Sequence, residues 1–322
     1  MYDWLLQQLD VRNAFLNGNL TEIVFMEQSP GFIDDRFPTL VCCLKKALYG
    51  LKQGHVLVYL LVYVDDIILM GNDTTFFNTF VAKLHQEFSI KDLGALGYFL
   101  GLEVTHKNHS IFLTQTKYAY DILARAGLVD AKPVTTPLSS TEVFLSKGEL
   151  FHDPILYKSL VGALQYLTIT RPDLSCAVNQ ASQHLQSPTV SHFQSVKRIL
   201  RYVKGTFAFG LHFSKESTPT LLGYSDVDWA RCIETRRCSY GYSIYLGGNL
   251  VSWSAKKQPT VARSSCESEY RAMANTATKI IWLTHLLREL HALPMDVQPF
   301  YVIRKELFFS VRIRCLIKEP ST

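Results

Sequence analysis

Residues 56–70 read VLVYLLVYVDDIILM, and this stretch decides which fold the sequence predicts. Val, Ile, Leu and Tyr favour strands, and two adjacent acids separate the two apolar runs. This pattern indicates a β-hairpin whose turn presents Asp65 and Asp66. The stretch is too short for a membrane helix, which requires about 20 apolar residues. We therefore expect a strand-containing fold and no membrane span.

The pattern after this hairpin is typical of alternating helices and short strands. Apolar residues at helical spacing from Phe77 to Phe88 predict a helix, with Asn72 or Asp73 as its N-cap. Two short strands are expected at 98–105 and 110–114, followed by a helix over 118–126 that ends at Gly127.

The second half of the chain begins with a segment rich in Pro, Ser and Thr, which predicts an extended linker. Helices are expected over 156–170, 175–185 and 188–204, with Pro188 in the first turn of the last one. The runs LLGYSD, SYGYSIYLGG and NLVSWSA then predict three strands, and a long helix is expected over 264–290. The tail after Pro294 has no clear period.

Composition limits the class of protein. The chain has 322 residues, of which 48% are hydrophobic and 19% charged, which suits two folded domains rather than disorder. A net charge of +5 suits a nucleic-acid partner without requiring one. The seven cysteines are odd in number and lack Cys-x-x-Cys spacing, so free thiols in a reducing compartment are the simplest interpretation.

Three acids in the first part are candidate metal ligands. Asp10 follows an apolar run, and Asp65 and Asp66 lie on the predicted hairpin turn. Carboxylates crowded beside hydrophobic strands repel one another unless a divalent cation neutralises them, and two-metal phosphoryl transfer uses such a cluster. Taken alone, two acids in a turn are more often solvent-facing, and both interpretations stay open at this point.

Motifs in a fixed order carry a resemblance to a known family. Residues 9–33 read LDVRNAFLNGNLTEIVFMEQSPGFI, residues 44–53 read LKKALYGLKQ, and residues 63–66 form a Tyr-Val-Asp-Asp box. The order continues through KDLGALGYFLGLEV, LVGALQYLTITRPDL, VKRILRYVKGT and GYSDVDWARCIETRRCSYGYSIYLGGNLVSWSAKKQPTVARSSCESEYRAMA. From Leu9 to Leu290, the chain resembles the Pol polyprotein of copia-type LTR retrotransposons, in its reverse transcriptase and RNase H region.

The resemblance implies an α+β fold. It consists of a partial reverse-transcriptase palm with a helical thumb or connection region, followed by an incomplete RNase H-like α/β domain. The expected divisions are a partial palm and following region at 1–131, a linker at 132–148, a helical connection at 149–217, an incomplete RNase H-like domain at 218–293, and a divergent tail at 294–322.

The resemblance also implies site residues. Asp10, Asp65 and Asp66 correspond to the metal-binding aspartates of the palm, and Tyr63 to the position beside the primer end. Asp226 and Glu269 correspond to the first two RNase H carboxylates, with Asp228 and Glu267 as supporting neighbours. The implied cofactor is Mg²⁺, and the implied partners are an RNA template, a DNA primer or an RNA–DNA hybrid. The implied location is intracellular, in a cytoplasmic particle or the nucleus.

Departures from the family pattern bear on activity. After Gln53 the family continues for several dozen palm residues, whereas here only Gly54 and His55 precede the hairpin strand. We also expect most of the fingers to be missing before Asp10, and the last two RNase H carboxylates to be missing after Leu290.

Three hypotheses follow: an active polymerase and RNase H, an inert remnant, and a non-catalytic nucleic-acid-binding module. The inert remnant is favoured. The module would use a set of basic residues, namely Lys197, Arg198, Arg201, Arg236, Arg237, Lys256 and Lys257.

Overall fold

The computed structural model describes residues 5–11, 24–27, 41–44, 52–53, 56–63, 66–88, 90–107, 110–139, 148–215, 220–230, 232, 234–290, 299–303 and 308–312. The chain divides into two compact units, residues 1–100 and residues 101–322. Helices accompany antiparallel sheets in the described residues, which confirms the predicted α+β class. No helix in these ranges combines the length and apolar content needed to cross a membrane.

Unit 1 is built on a five-stranded antiparallel sheet with a helix on one face. Its elements are β1 (Leu5–Val11), β2 (Val24–Glu27), β3 (Val41–Leu44), β4 (Lys52–Gln53), β5 (Val56–Tyr63), β6 (Asp66–Gly71), α1 (Thr74–Glu87), β7 (Ile90–Ala95) and β8 (Tyr98–Phe99). The sheet has the strand order β4-β5-β6-β1-β7, and β2 pairs with β3 separately.

The predicted hairpin is confirmed as β5 and β6. Asp66, which was expected on the turn, is instead the first residue of β6 and lies opposite Tyr63. Burial alternates along β6, with Ile67 buried and its neighbours half-buried, as expected for a strand with one packed face. Ile67 and the fully buried Leu9 of β1 form a small core with residues of α1 and of the neighbouring strands. The predicted cap of α1 is also confirmed, since the Asp73 carboxylate accepts a hydrogen bond from the Phe76 amide at 2.7 Å.

Unit 2 begins with strands and a helical region. Its first elements are β9 (Leu102–Lys107), β10 (Ser110–Thr114), α2 (Thr116–Arg125), α3 (Pro154–Leu167), a 3-10 turn (Pro172–Leu174), α4 (Ser175–Ser182), α5 (Val190–Gly205) and β11 (Leu211–Ser214). The strands β9, β10 and β11 pair antiparallel in that order. The four helices share one core, which includes Ile122, Leu160, Leu164, Val178, Ile199 and Leu200.

Two sequence predictions in this region were wrong in detail. The strand expected over 98–105 is interrupted, because Leu100 and Gly101 both have positive φ, at 47° and 74°. Pro188 does not lie in the first turn of α5, because the helix begins only at Val190. Thr189 is its N-cap and accepts a hydrogen bond from the His192 amide through its hydroxyl.

The remaining elements are β12 (Leu221–Asp228), β13 (Ser239–Leu246), β14 (Asn249–Lys257), α6 (Ser265–Glu289), β15 (Pro299–Ile303) and β16 (Phe308–Arg312). The three predicted strands form an antiparallel sheet in the order β12-β13-β14, and the long helix follows as predicted. α6 packs on the sheet face that carries Leu221 and Ile244. β15 and β16 pair antiparallel, and β15 runs close to β12. The sequence predicted neither of these two strands.

Candidate active site

The central sheet of unit 1 aligns four residues in one row across four neighbouring strands. Asp10 of β1 lies opposite Asp66 of β6. Asp66 lies opposite Tyr63 of β5, and Asp10 lies opposite Lys91 of β7. We call these four residues the polar row. Asp10 is more than fifty positions earlier in the chain than the other three residues. Asp10 and Asp66 are predicted metal ligands.

Strand alternation shows which side of the sheet carries the polar row. Leu9 and Ile67 are opposite one another and buried against α1. The next residues along these strands, Asp10 and Asp66, therefore project from the other face, because side chains alternate along a strand. That face is open to solvent at one end of the row, where Tyr63 is 56% exposed. The two carboxylates lie on one accessible surface.

The pair Asp10 and Asp66 has the properties of an incomplete cation site. Directly opposed residues of an antiparallel pair have Cβ atoms about 4.5–5.5 Å apart, and like charges at that spacing destabilise the sheet. Neither carboxylate has a side-chain partner among the described residues, and both are half-buried. Carboxylate oxygens are the ligands that Mg²⁺ and Ca²⁺ prefer, so the pair fits a divalent metal.

The third predicted palm ligand, Asp65, lies outside the described residues, and its place beside the pair stays a prediction. Within the described ranges, no group of three or more His, Cys, Asp or Glu side chains is arranged to hold a metal ion.

The two predicted RNase H carboxylates do not share a face of their sheet. Leu221 is buried on the β12 face that packs against α6, whereas Asp226, five residues further along the strand, is exposed. Alternation therefore places Asp226 on the opposite face, while Glu269 is a half-buried residue of α6 itself. Their assignment as a metal site stays a prediction that this geometry does not favour.

The acid Glu267, predicted to be a supporting residue, has a structural role at the start of α6. Its carboxylate accepts hydrogen bonds from the Arg263 amide at 2.7 Å and from the Arg271 guanidinium at 2.6 Å. The Arg263 amide bond lowers the pKa of Glu267 below its usual value, and the neighbouring Arg271 adds to this effect. The Ser264 hydroxyl completes the cap by accepting a bond from the Glu267 amide.

Asp226 instead lines a pocket of about 620 Å³ between the 3-10 turn with α4 and the open face of the β12–β14 sheet. Tyr224, Tyr245 and Trp253 supply aromatic walls, and Asp173 supplies a second carboxylate. Sequence patterns did not indicate this pocket, because it depends on helices and strands that are distant along the chain.

Two basic residues of α5 assigned to the nucleic-acid-binding module, and the nearby Lys204, have partners within the chain. The Arg198 guanidinium donates to the Thr136 hydroxyl at 2.8 Å, and the Arg201 guanidinium donates to the Lys132 carbonyl at 2.7 Å. The Lys204 ammonium donates to the Val129 carbonyl. These bonds attach Val129 and the first residues of the predicted linker to α5. The three basic side chains therefore have a structural role.

One cysteine has an unusual environment. The Lys257 ammonium lies 3.0 Å from the sulfur of Cys232. Burial alone would raise the pKa of this thiol, but hydrogen bonds from Thr235 and Lys257 outweigh it and lower the pKa to about 7. The described cysteines Cys176, Cys232, Cys238 and Cys266 are free thiols, as predicted.

Comparison with known proteins identifies the family. Residues 1–60 and 54–140 match the reverse transcriptase (RNA-dependent DNA polymerase) family. The Pol polyprotein of transposon RE1 from Arabidopsis thaliana is 45% identical, over 89% of this chain and 22% of its own length. The corresponding polyprotein of transposon TNT 1-94 from Nicotiana tabacum is 35% identical over 89% of this chain. An uncharacterized mitochondrial protein of Arabidopsis thaliana is 49% identical, over 70% of this chain and 94% of its own length.

By sequence, the polar row thus lies in the part of the chain that matches reverse transcriptases. The chain belongs to the family of copia-type retrotransposon Pol polyproteins and contains part of its reverse-transcriptase region. It spans about a fifth of the length of the RE1 and RE2 polyproteins that it matches.

Proposed function

We propose that unit 1 is a reverse-transcriptase palm core that binds divalent metal through Asp10, Asp65 and Asp66 but does not extend a primer. The observation that carries this proposal is the register of β1 against β6, which sets Asp10 opposite Asp66 on an accessible face. Family membership adds that divalent metal and nucleic acid are the expected cofactor and substrate class.

Each residue of the polar row would have a role in such a site. Bound Mg²⁺ would supply charge stabilisation for the attacking and leaving oxygens of phosphoryl transfer. Asp10 and Asp66 would hold the ion from two adjacent strands whose register fixes their separation. Tyr63 offers an exposed ring one strand away, where a sugar or base at the primer end can pack. Lys91 places a positive charge at the other end of the row, which favours an incoming phosphate.

The break in the family pattern after Gln53 supports the loss of polymerase activity. Gln53 pairs with Val56, and Lys52 pairs with Leu57, so β4 and β5 close a hairpin at the edge of the sheet. The two matches to the reverse-transcriptase family overlap at residues 54–60, at this same hairpin. In the resemblance, the residues lost here contact the incoming nucleotide and template. Without them, a metal at the polar row has no positioned substrate, and positioning supplies much of the rate of phosphoryl transfer.

We propose no hydrolytic reaction for the second unit. Two-metal hydrolysis requires carboxylates that converge on the same ions, whereas strand alternation directs Asp226 away from the sheet face on which α6, the helix of Glu269, packs.

Metal binding and primer extension test the two parts of this proposal separately. The full chain is titrated with Mn²⁺, and the loss of free-ion signal is followed by electron paramagnetic resonance. We expect saturable binding that Asp10→Asn and Asp66→Asn each weaken at least ten-fold. Asp92→Asn is the matched control, because Asp92 is an acid of the neighbouring edge strand that bonds to Gln7 instead.

Primer extension is measured on an RNA template with Mg²⁺, using Asp66→Asn as the background. We expect the parent chain and the variant to be equal. Absence of Mn²⁺ binding would refute the palm assignment, whereas extension above the Asp66→Asn background would refute the proposed inactivity.

A further inference from the structure

We propose that the pocket beside Asp226 binds a guanine-type heterocycle, presented either as an unpaired base of single-stranded nucleic acid or as a free nucleoside. The proposal concerns unit 2 alone and uses Asp226 as a hydrogen-bond acceptor without metal. It therefore stands or fails independently of the function proposed for unit 1.

The aromatic walls of the pocket are held in place by contacts within the chain. The rings of Tyr224 and Tyr245 pack edge to face, with centroids 5.7 Å apart and an interplanar angle of 81°. The indole N–H of Trp253 donates to the Thr168 carbonyl at 3.1 Å, which fixes the orientation of that ring. Preorganised aromatic rings offer stacking surfaces to a flat heterocycle, and base–aromatic stacking is a main source of affinity for unpaired bases.

The two carboxylates that line the pocket differ in their availability. Asp173 accepts two hydrogen bonds from the buried Arg171 guanidinium, at 2.9 and 2.7 Å, and is thereby neutralised. Asp226 is exposed and has no side-chain partner among the described residues. A ligand in the pocket therefore meets one unpaired carboxylate with both oxygens free to accept.

The aromatic walls and the unpaired carboxylate together favour flat ligands that carry two adjacent hydrogen-bond donors. Guanine carries a ring N–H and an adjacent amino group, two parallel donors that match the two oxygens of a carboxylate. Adenine and cytosine place an acceptor nitrogen beside their amino group, and uracil flanks its N–H with two carbonyls, so each presents an acceptor to the carboxylate. A phosphate is repelled by the negative charge of Asp226. The volume of about 620 Å³ lies within the range of small-molecule sites.

The test is a fluorescence titration of the full chain in EDTA, which excludes metal-mediated binding. Stacking of the ligand near Trp253 should quench indole emission. We expect guanosine to bind about ten-fold more tightly than inosine, which lacks the amino group and one of the two hydrogen bonds. Asp226→Asn should abolish this preference. Asp228→Asn should retain it, because Asp228 is an exposed acid of the same strand that does not line the pocket.

Two further measurements complete the test. Trp253→Phe should remove the quenching while calorimetry still detects guanosine binding, which separates the optical signal from the affinity. An oligothymidylate with a single central guanine distinguishes the two sources of ligand. Tighter binding than guanosine identifies a nucleic acid, and equal binding identifies a free nucleoside. Equal affinity for guanosine and inosine, an unchanged preference in Asp226→Asn, or no calorimetric binding at millimolar guanosine would each overturn the proposal.

Discussion

Replacing Asp66 by Asn should stabilise unit 1 when divalent metal is absent. Asp10 and Asp66 are directly opposed across two strands and have no side-chain partner among the described residues. Two unit charges about 5 Å apart repel by about 0.8 kcal/mol at the dielectric constant of water and by about 3 kcal/mol at an effective value of 20. Like charges opposed in sheets typically cost up to about 1 kcal/mol. Because both groups are half-buried, we expect a gain near the upper end of that range, about 1 kcal/mol.

Hydrogen exchange measured by mass spectrometry on peptides of β1 and β6 provides the assay, because it reports the opening of unit 1 separately from unit 2. In EDTA, Asp10→Asn and Asp66→Asn should each slow exchange about five-fold, which corresponds to about 1 kcal/mol. The double variant should gain no more than either single one, since removing one charge already removes the repulsion.

Divalent metal should make the parent chain more stable than the Asn variants. At a Mg²⁺ concentration ten times its Kd, the parent chain should gain about 1.4 kcal/mol from binding linkage, and the Asn variants should gain much less. Asp92→Asn should leave the response to Mg²⁺ unchanged. If Asp66→Asn speeds exchange in EDTA and shows no coupling to Asp10→Asn, the two carboxylates do not face one another and the reasoning is refuted.

Three other perturbations follow from contacts in unit 2. Arg171 is 2% exposed and donates to the Asp173 carboxylate and to the Thr206 carbonyl, so Arg171→Ala should cost about 2 kcal/mol in denaturant unfolding through its lost charge-assisted hydrogen bonds. An effect below about 0.5 kcal/mol would contradict this role. The pKa of the Cys232 thiol is about 7, so its alkylation by iodoacetamide should have a midpoint near pH 7. Lys257→Met should move that midpoint upward, and an unchanged profile would exclude the lysine as its cause. Burial lowers the pKa of His184 to about 4, so the unfolded state binds more protons than the folded state between about pH 6.5 and pH 4. The free energy of unfolding should therefore decrease as the pH is lowered from about 6.5 to 4. His184→Gln should reduce this decrease, as measured by the thermal midpoint.

Elements with strong local signals could be predicted from the sequence. The hairpin of β5 and β6 follows from two β-rich runs around a polar turn, and α1 and α6 follow from helical spacing and the caps Asp73 and Ser264. The short strand β11 was missed. It has four residues without a clear period, and it exists because it pairs with β10, about a hundred residues earlier in the chain.

The candidate site was predictable as a set of residue types but not as an arrangement. Residue patterns singled out Asp10 and Asp66 as candidate metal ligands, and the resemblance assigned both to one site. The inclusion of Lys91 depends on the register of β7 against β1, where the pairing shifts between Gln8 and Leu9. A slip of one residue would move Lys91 to the other face of the sheet. No local signal in the sequence shows which register β7 adopts.

The position of the break after Gln53 is consistent with the proposal that unit 1 keeps a metal site but does not extend a primer. In the strand order β4-β5-β6-β1-β7, the break joins β4 to β5 at one edge, whereas Asp66 and Asp10 lie on the two strands further in. The register that opposes these carboxylates depends on β6 against β1, and the packing beneath it depends on Leu9 and Ile67. Neither involves the residues that the family has between β4 and β5. Metal binding and nucleotide positioning are therefore separable in this sheet, and loss of the second does not require loss of the first.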